Sequence, residues 1–285
     1  MLHAYGLRLG IKFLRDRRSR RSLHYLWSPV NYWRALEYDY VFREGEFAPD
    51  QRVLDVGSPK LLSLYLATKA GACVVATDLD NYFVAEYDYL RRLEGLQPDR
   101  FRAQVEDGRQ LSFTDESFER VYSISVVEHI PNDGDSRCLR EIGRVLAPNG
   151  RALLTVPFAR ESRDVYRPAD YVYWTRGSGA AREGLAFFER RYSEADLYRR
   201  LIEPSGLRLS RLDFVGERIS SQSEREIWEL MPWISKPFQP LLSKLLLTKP
   251  GPSWRSLKNP QLALLVLEKD SASARHAATG PTPIP

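Results

Sequence analysis

From residue 52 onward, short apolar runs alternate with stretches of helical periodicity. Val53-Leu54-Asp55-Val56 is the first apolar run, and Lys60 to Ala70 follows with helical spacing until Gly71 stops it. Cys73 to Thr77 is a second run, residues 81–94 a helical stretch, and Phe101 to Val105 a weaker third strand. Arg120 to Val127 is a fourth, followed by a helix over about Asp135 to Leu146, a Pro148-Asn149-Gly150 turn and a fifth strand from Arg151 to Phe158. Near-continuous apolar runs suit strands covered on both faces, and helices of this length between them imply right-handed crossovers. The pattern predicts an α/β protein with a mostly parallel, doubly wound sheet.

On either side the texture changes. Residues 159–190 read as a loop with Gly-rich turns (Gly177-Ser178-Gly179) and scattered aromatics, among them Tyr166, Tyr171, Tyr173 and Trp174. Ser193 and Asp196 open a helix as an approximate capping box, and Gly206 ends it. Leu207 to Val215 and Leu262 to Glu268 read as two more strands, making seven, with a long helical insertion over about 218–259 between them. Upstream, Tyr32, Trp33, Leu36 and Tyr40 recur at helical spacing after Ser28-Pro29. The chain thus divides into a basic, aromatic helical extension (1–50), a main domain (51–270) and an Ala/Ser/Pro/Gly-rich tail (271–285) expected to be disordered.

Composition adds a few bounds. The chain has 43% hydrophobic residues, enough for a sizeable core, and a formal charge of +5, which permits an acidic partner without demanding one. Cys73 and Cys138 form neither a disulfide framework nor a metal quartet and read as small buried hydrophobes, consistent with a cytoplasmic setting. No apolar run approaches the roughly 18–20 residues of a membrane span, and the N-terminus lacks a signal-peptide pattern.

Candidate chemistry sits where open parallel sheets collect ligands, at the carboxyl ends of the strands. Asp55 ends the first strand, with Gly57 just after it. Asp78 ends the second, Asp107 follows the third, and Glu128-His129 follows the fourth. Gly57 allows a tight turn and a close backbone approach. Asp78 is placed to accept both hydroxyls of a ribose, Asp107 to accept an exocyclic amine of a base, and Leu79 to cover the base plane. Asp55 has two open roles, contact with the ligand or support of the Gly57 turn.

These motifs resemble those of class I S-adenosylmethionine-dependent methyltransferases. Val53-Leu54-Asp55-Val56-Gly57 is similar to the family's first motif, and Asp78 to its ribose-binding acid. Glu106 to Phe113 resembles the adenine-contacting segment. Asp115 to Val121 with Ser123 to Ile130 resembles the fourth-strand motif, and Arg140 to Pro157 the lead into strand five. The resemblance spans about residues 50–158. It implies a Rossmann-like sheet with an N-terminal helical cap and a helical insertion before the last strand. It also implies S-adenosylmethionine as cofactor, with Asp55, Gly57, Asp78, Leu79, Asp107, Gly108 and Ser125 as its binding residues. The first loop departs from the family: after Gly57 come Ser58, Pro59 and Lys60 instead of further glycines. That departure also argues against a dinucleotide oxidoreductase, which needs those glycines.

The implied reaction is methyl transfer to a small molecule, at oxygen, with His129 as candidate base, since an imidazole titrates near neutrality. The alternative for Glu128-His129-Ile130 is a turn that only walls the pocket. Other readings are a lipid- or sugar-linked acceptor at a membrane surface and a non-catalytic nucleoside-binding protein. The cluster Arg8, Lys12, Arg15, Arg17, Arg18, Arg20 and Arg21 reads first as a solvated helix face. The insertion (Trp228 to Ile234, Phe238, Leu241 to Leu247) suits capping of the site or a homodimer surface ahead of peripheral membrane contact, and no nucleic-acid partner is expected.

Overall fold

The computed structural model of the chain describes residues 1–16, 19–57, 61–168, 184–219 and 231–271. Seven strands form the main sheet: β1 (Arg52–Asp55), β2 (Cys73–Asp78), β3 (Phe101–Val105), β4 (Phe118–Ile124), β5 (Leu146–Pro157), β8 (Arg208–Glu217) and β9 (Asn259–Glu268). Their order is β3-β2-β1-β4-β5-β9-β8. The first five are mutually parallel. β9 runs antiparallel to β5, from Arg151↔Glu268 to Pro157↔Leu262, and β8 runs antiparallel to β9. Strand order reverses between β1 and β4, and the carboxyl edge beside that reversal is where such sheets bind ligands.

Both faces are covered, as the apolar runs require. On one face Val53, Leu153 and Val266 pack with Leu62, Leu90, Leu9, Phe13 and Val41; on the other Leu54, Val121 and Leu154 pack with Leu139, Ile142, Leu201 and Phe214. The first face is supplied by α4 (Leu61–Tyr65), its π-helical continuation Leu66–Ala70, and α5 (Asn81–Glu94). Asp80 caps α5 by accepting the Tyr82 N–H. The second face is supplied by α6 (Gly134–Val145) and by a helical run made of α7 (Glu194–Asp196), a π segment Leu197–Ile202 and α8 (Glu203–Ser205). Ser193 caps that run by accepting the Asp196 N–H, and Gly206 closes it in a left-handed conformation. Cys138, on α6, is fully buried, and burial pushes its thiol up to about 12; Cys73 is only half-buried.

The N-terminal extension forms α1 (Leu2–Asp16), α2 (Arg20–Trp27) and α3 (Tyr32–Gly45) and belongs to the first core. Part of its basic cluster is structural. Arg8 and Lys12 each pair with Glu94 at 2.9 Å and Arg21 pairs with Glu86, so α1 and α2 are clamped to α5. Arg17 and Arg18 lie outside the described residues.

Where a loop was expected, a second sheet appears: β6 (Arg163–Pro168) pairs antiparallel with β7 (Leu185–Arg191), with a register shift between Val165 and Tyr166. Its charged, mostly exposed first strand carries no apolar alternation, which hid it in the sequence. β7 is fastened by Asp135, fully buried, which accepts from Arg190 (2.8 Å), Arg200 (2.7 Å) and Tyr192 (3.0 Å). Gly177 to Gly179, Tyr171, Tyr173 and Trp174 fall outside the described residues. β5 begins at Leu146, five residues before the expected start, because Leu146 already pairs with Phe118 and the left-handed Asn149 lies in an irregularity before pairing resumes at Arg120↔Arg151; β4 ends at Ile124 and yields to a 3-10 turn, Val127–His129. The described part of the insertion holds a 3-10 segment, Trp233–Phe238, then α9 (Gln239–Leu246). No described helix is long and apolar enough to cross a membrane.

Leu9 is fully buried in the first core. Leu9→Ala should lower unfolding free energy by about 2–5 kcal/mol, the usual cost of such a cavity, in urea titrations. A loss below about 0.5 kcal/mol, the level of surface substitutions, would show that α1 contributes no core.

Candidate functional site

The carboxyl edge is built around β1. The Thr77 hydroxyl donates to the Asp55 carbonyl at 2.9 Å and accepts the Gly57 N–H at 3.3 Å, tying the end of β1 to β2. Gly57 has φ +71°, and a Cβ there would sit 2.6 Å from Val126 Cγ1. Glycine is needed twice over, for its left-handed backbone and for the closeness of the β4 end. Asp55 points away from this edge. Its carboxylate is fully buried, accepting from the Ser63 hydroxyl and from the Tyr122 phenol at 3.1 Å. Of the two roles open to Asp55 in the sequence, the hydrogen bonds of this carboxylate oxygen display the supporting one. Its side chain braces α4 and β4 beneath the turn, because in the pleat it faces the core.

Asp78 and Leu79 follow β2 at the same edge. The Asp78 carboxylate accepts the Asp80 N–H at 2.9 Å, and its carbonyl accepts the Glu106 N–H at 3.0 Å, which draws the β3 end alongside. Leu79 is 59% exposed, an apolar side chain held beside the crest. After β3, Asp107 is engaged by Arg109, whose Nε and Nη2 lie 2.9 and 2.7 Å from its oxygens. The Arg109 hydrogen bonds hold the Asp107 carboxyl below the usual carboxylate range. A base amine would therefore share Asp107 with Arg109. Gly108 packs close, since a Cβ there would lie 3.2 Å from Cys138 Sγ and 3.4 Å from Val56 Cγ1.

Ser125, just past β4, has φ +48° and donates its N–H to the Thr155 carbonyl at 2.9 Å. Its hydroxyl donates to Glu37 Oε1 at 2.6 Å, and the Thr155 hydroxyl donates to the same oxygen at 2.6 Å. Arg34 pairs with Oε2 of this fully buried carboxylate. α3 of the extension thus reaches across the ends of β4 and β5. Sequence reasoning missed Arg34, Glu37 and Thr155. The available signal was an acid lodged in an aromatic stripe: Glu37 stands four residues after Trp33 and three before Tyr40.

The 3-10 turn then presents Glu128 and His129 beneath β7. His129 Nδ1 lies 2.6 Å from the Phe188 carbonyl. A carbonyl only accepts, so Nδ1 carries the proton and, in the neutral ring, Nε2 holds the lone pair. Glu128 is buried with Oε1 3.8 Å from His129 Nε2. Desolvation raises the Glu128 carboxyl well above its ordinary 4.5. A cavity of about 720 Å³ lies elsewhere, among residues of α1, α3, α9 and β8 such as Leu36, Arg43 and Arg211, and none of the strand-end residues lines it.

Residues 54–154 match a family model described as a methyltransferase domain. Methyltransferase GfsG of Streptomyces halstedii is 30% identical over 182 residues, covering 63% of this chain and 61% of that protein. Phosphoethanolamine N-methyltransferase 2 of Caenorhabditis elegans is 30% identical over 156 residues, 54% of this chain and 31% of that protein. The chain therefore spans under two thirds of the length of these relatives. Residues 54–154 are therefore similar to a methyltransferase domain. Among solved structures with this fold, the [4+2]-cyclase SpnF superposes with TM-score 0.54 at 16% identity, covering 82% of this chain and 80% of that one. A geranyl diphosphate methyltransferase in complex with SAM gives TM-score 0.51 at 12% identity, covering 83% and 85%.

The strand edge of this domain fits a nucleoside cofactor on its own terms. Gly57 lets the backbone turn tightly against Val126, which a Cβ there would strike, and Leu79 offers an exposed apolar surface next to the Asp78 carboxylate. The buried Glu128 also gives the domain a pH signature. A carboxyl raised in the folded state remains protonated while the unfolded chain ionises, so wild-type stability is fully present below about pH 4.5 and falls as pH rises above it. Glu128→Gln removes that loss. Its melting temperature should match wild type near pH 4.5 and exceed it increasingly toward pH 7; parallel profiles would mean that Glu128 is ionised in the fold.

Proposed function

We propose that the chain transfers a methyl group from S-adenosylmethionine to a small-molecule hydroxyl. The observation carrying this reading is the juxtaposition, on either side of the β1/β4 reversal, of the Gly57–Asp78 cradle and an imidazole oriented by the Phe188 carbonyl. In this reading the Gly57 backbone borders the methionine end, Asp78 accepts the ribose hydroxyls, and Leu79 and Gly108 flank the adenine, with Asp107 and Ser125 at the rim. The bound cofactor supplies an already activated sulfonium methyl. The chain's own work is then alignment and proton removal. His129 Nε2 takes the acceptor hydroxyl proton as the oxygen is methylated, while the Phe188 carbonyl holds the ring and its tautomer. Burial favours the neutral form of Glu128 and so weakens its competition for the ring. The β6–β7 hairpin, packed on the Val127–His129 turn, walls the acceptor side.

The relatives support methyl transfer by name, although GfsG's name specifies no acceptor and that of the worm protein specifies nitrogen. SpnF, titled a cyclase, shows that this fold alone does not decide the reaction. Isothermal titration with S-adenosylmethionine and S-adenosylhomocysteine tests the cofactor; absence of heat with both defeats the proposal. Asp78→Ala should weaken S-adenosylhomocysteine binding about 10- to 100-fold, the equivalent of losing hydrogen bonds worth about 1.5–3 kcal/mol to a charged acceptor. His129→Ala should lower kcat about 100-fold or more with cofactor affinity retained. An unchanged kcat would leave His129 a wall of the pocket and remove the assigned base.

A further inference from the structure

α9 is apolar on two sides. Leu242 and Leu246 pack inward on the first core beside the buried Gln239 and Ser243, whereas Leu241 and Leu245 face outward. With Trp233, Ile234 and Phe238 of the preceding 3-10 segment they form five large apolar side chains, each between 57% and 67% exposed. A helix that only covers a core would be polar on its outward side. The fold holds this segment in place from behind. α9 packs on α3, the Leu247 carbonyl accepts from Arg218 Nε at 3.0 Å, and Trp233 stacks on Trp27 of α2 with centroids 4.6 Å apart.

The charge carried by this segment has one sign. Lys236 and Lys244 lie within it and Lys249 just beyond, and residues 230–249 contain no Asp or Glu. The neighbouring acids on α3 are already matched, Asp39 by Arg43 at 3.3 Å and Glu44 by Arg211 at 3.3 Å. We propose that this face docks the protein on the surface of an anionic phospholipid bilayer, with Trp233, Ile234, Phe238, Leu241 and Leu245 in the headgroup–acyl boundary and the lysines against lipid phosphates. Apolar side chains beside a basic rim, with a tryptophan among them, are the composition that lies flat in such an interface. A second copy of the chain is a poorer occupant. A two-fold contact would lay this lysine-bearing patch on an identical one, with no acid in residues 230–249 to offset the like charge. The inference is independent of methyl transfer.

The test is co-sedimentation of the full chain with vesicles of phosphatidylcholine alone or of equimolar phosphatidylcholine and phosphatidylglycerol, at low and high salt. Partitioning should favour the anionic vesicles and fall with salt. Lys236→Gln/Lys244→Gln should reduce it about 30-fold, which corresponds to about 1 kcal/mol for each charge at an anionic surface. Ile234→Ser/Leu245→Ser should reduce it at least tenfold with an unchanged melting temperature, since neither side chain is buried. The inference is overturned by no binding to either vesicle, or by binding that survives both double variants. A wild-type dimer in light scattering that Ile234→Ser/Leu245→Ser dissolves, without vesicle binding, assigns the face to self-association instead.

Discussion

The carboxyl edge of this sheet depends on one buried carboxylate. Glu37 enters from α3, outside the family-matched segment, and gathers the Ser125 hydroxyl, the Thr155 hydroxyl and the Arg34 guanidinium about itself. A carboxylate taken fully out of water is costly unless such partners surround it, and removing one partner from an arrangement of this kind costs more than the arrangement contributes. Ser125 adds its own demand, because a left-handed backbone at a non-glycine residue costs about 1–3 kcal/mol and persists only where neighbours over-determine it. Its N–H on Thr155 and its hydroxyl on Glu37 supply that constraint, and so set the direction in which the chain leaves β4.

From that point the rest of the edge follows. The chain leaving Ser125 carries Val126 against Gly57, and then the Val127–His129 turn under β7. Thr77 locks the other side of Gly57 to β2, and Asp55 braces α4 from below through Ser63. α3 is therefore part of the sheet's carboxyl edge, in addition to being part of its core. The same α3 also backs α9, so the apolar face and the strand edge share one support.

The sheet was legible because its signals are local. Val53–Leu54, Val74–Val75 and Leu153–Leu154 are apolar on both faces, and Gly71 and Gly206 mark helix ends by their left-handed backbone. Gly57, Asp78, Asp107 and His129 could be placed at strand ends from the same pattern. What stayed hidden depends on distance along the chain. Glu37 and Thr155 are 118 residues apart, and nothing in the spacing of either announces the other. Asp55 was ambiguous because the pleat direction, which sends its carboxylate to Ser63 and Tyr122, is not written in four residues. The β6–β7 hairpin is held by Asp135 and Arg190 more than by apolar alternation, and periodicity does not register an ionic fastening.

A double-mutant cycle on Glu37→Gln and Ser125→Ala, read as unfolding free energy, tests the central claim most directly. Contact through one short hydrogen bond to a buried charge predicts a coupling energy of about 1.5–3 kcal/mol between the two changes. Effects that add to within about 0.3–0.5 kcal/mol, as for independent sites, would contradict the account, since α3 would then lie over the β4 end without holding it.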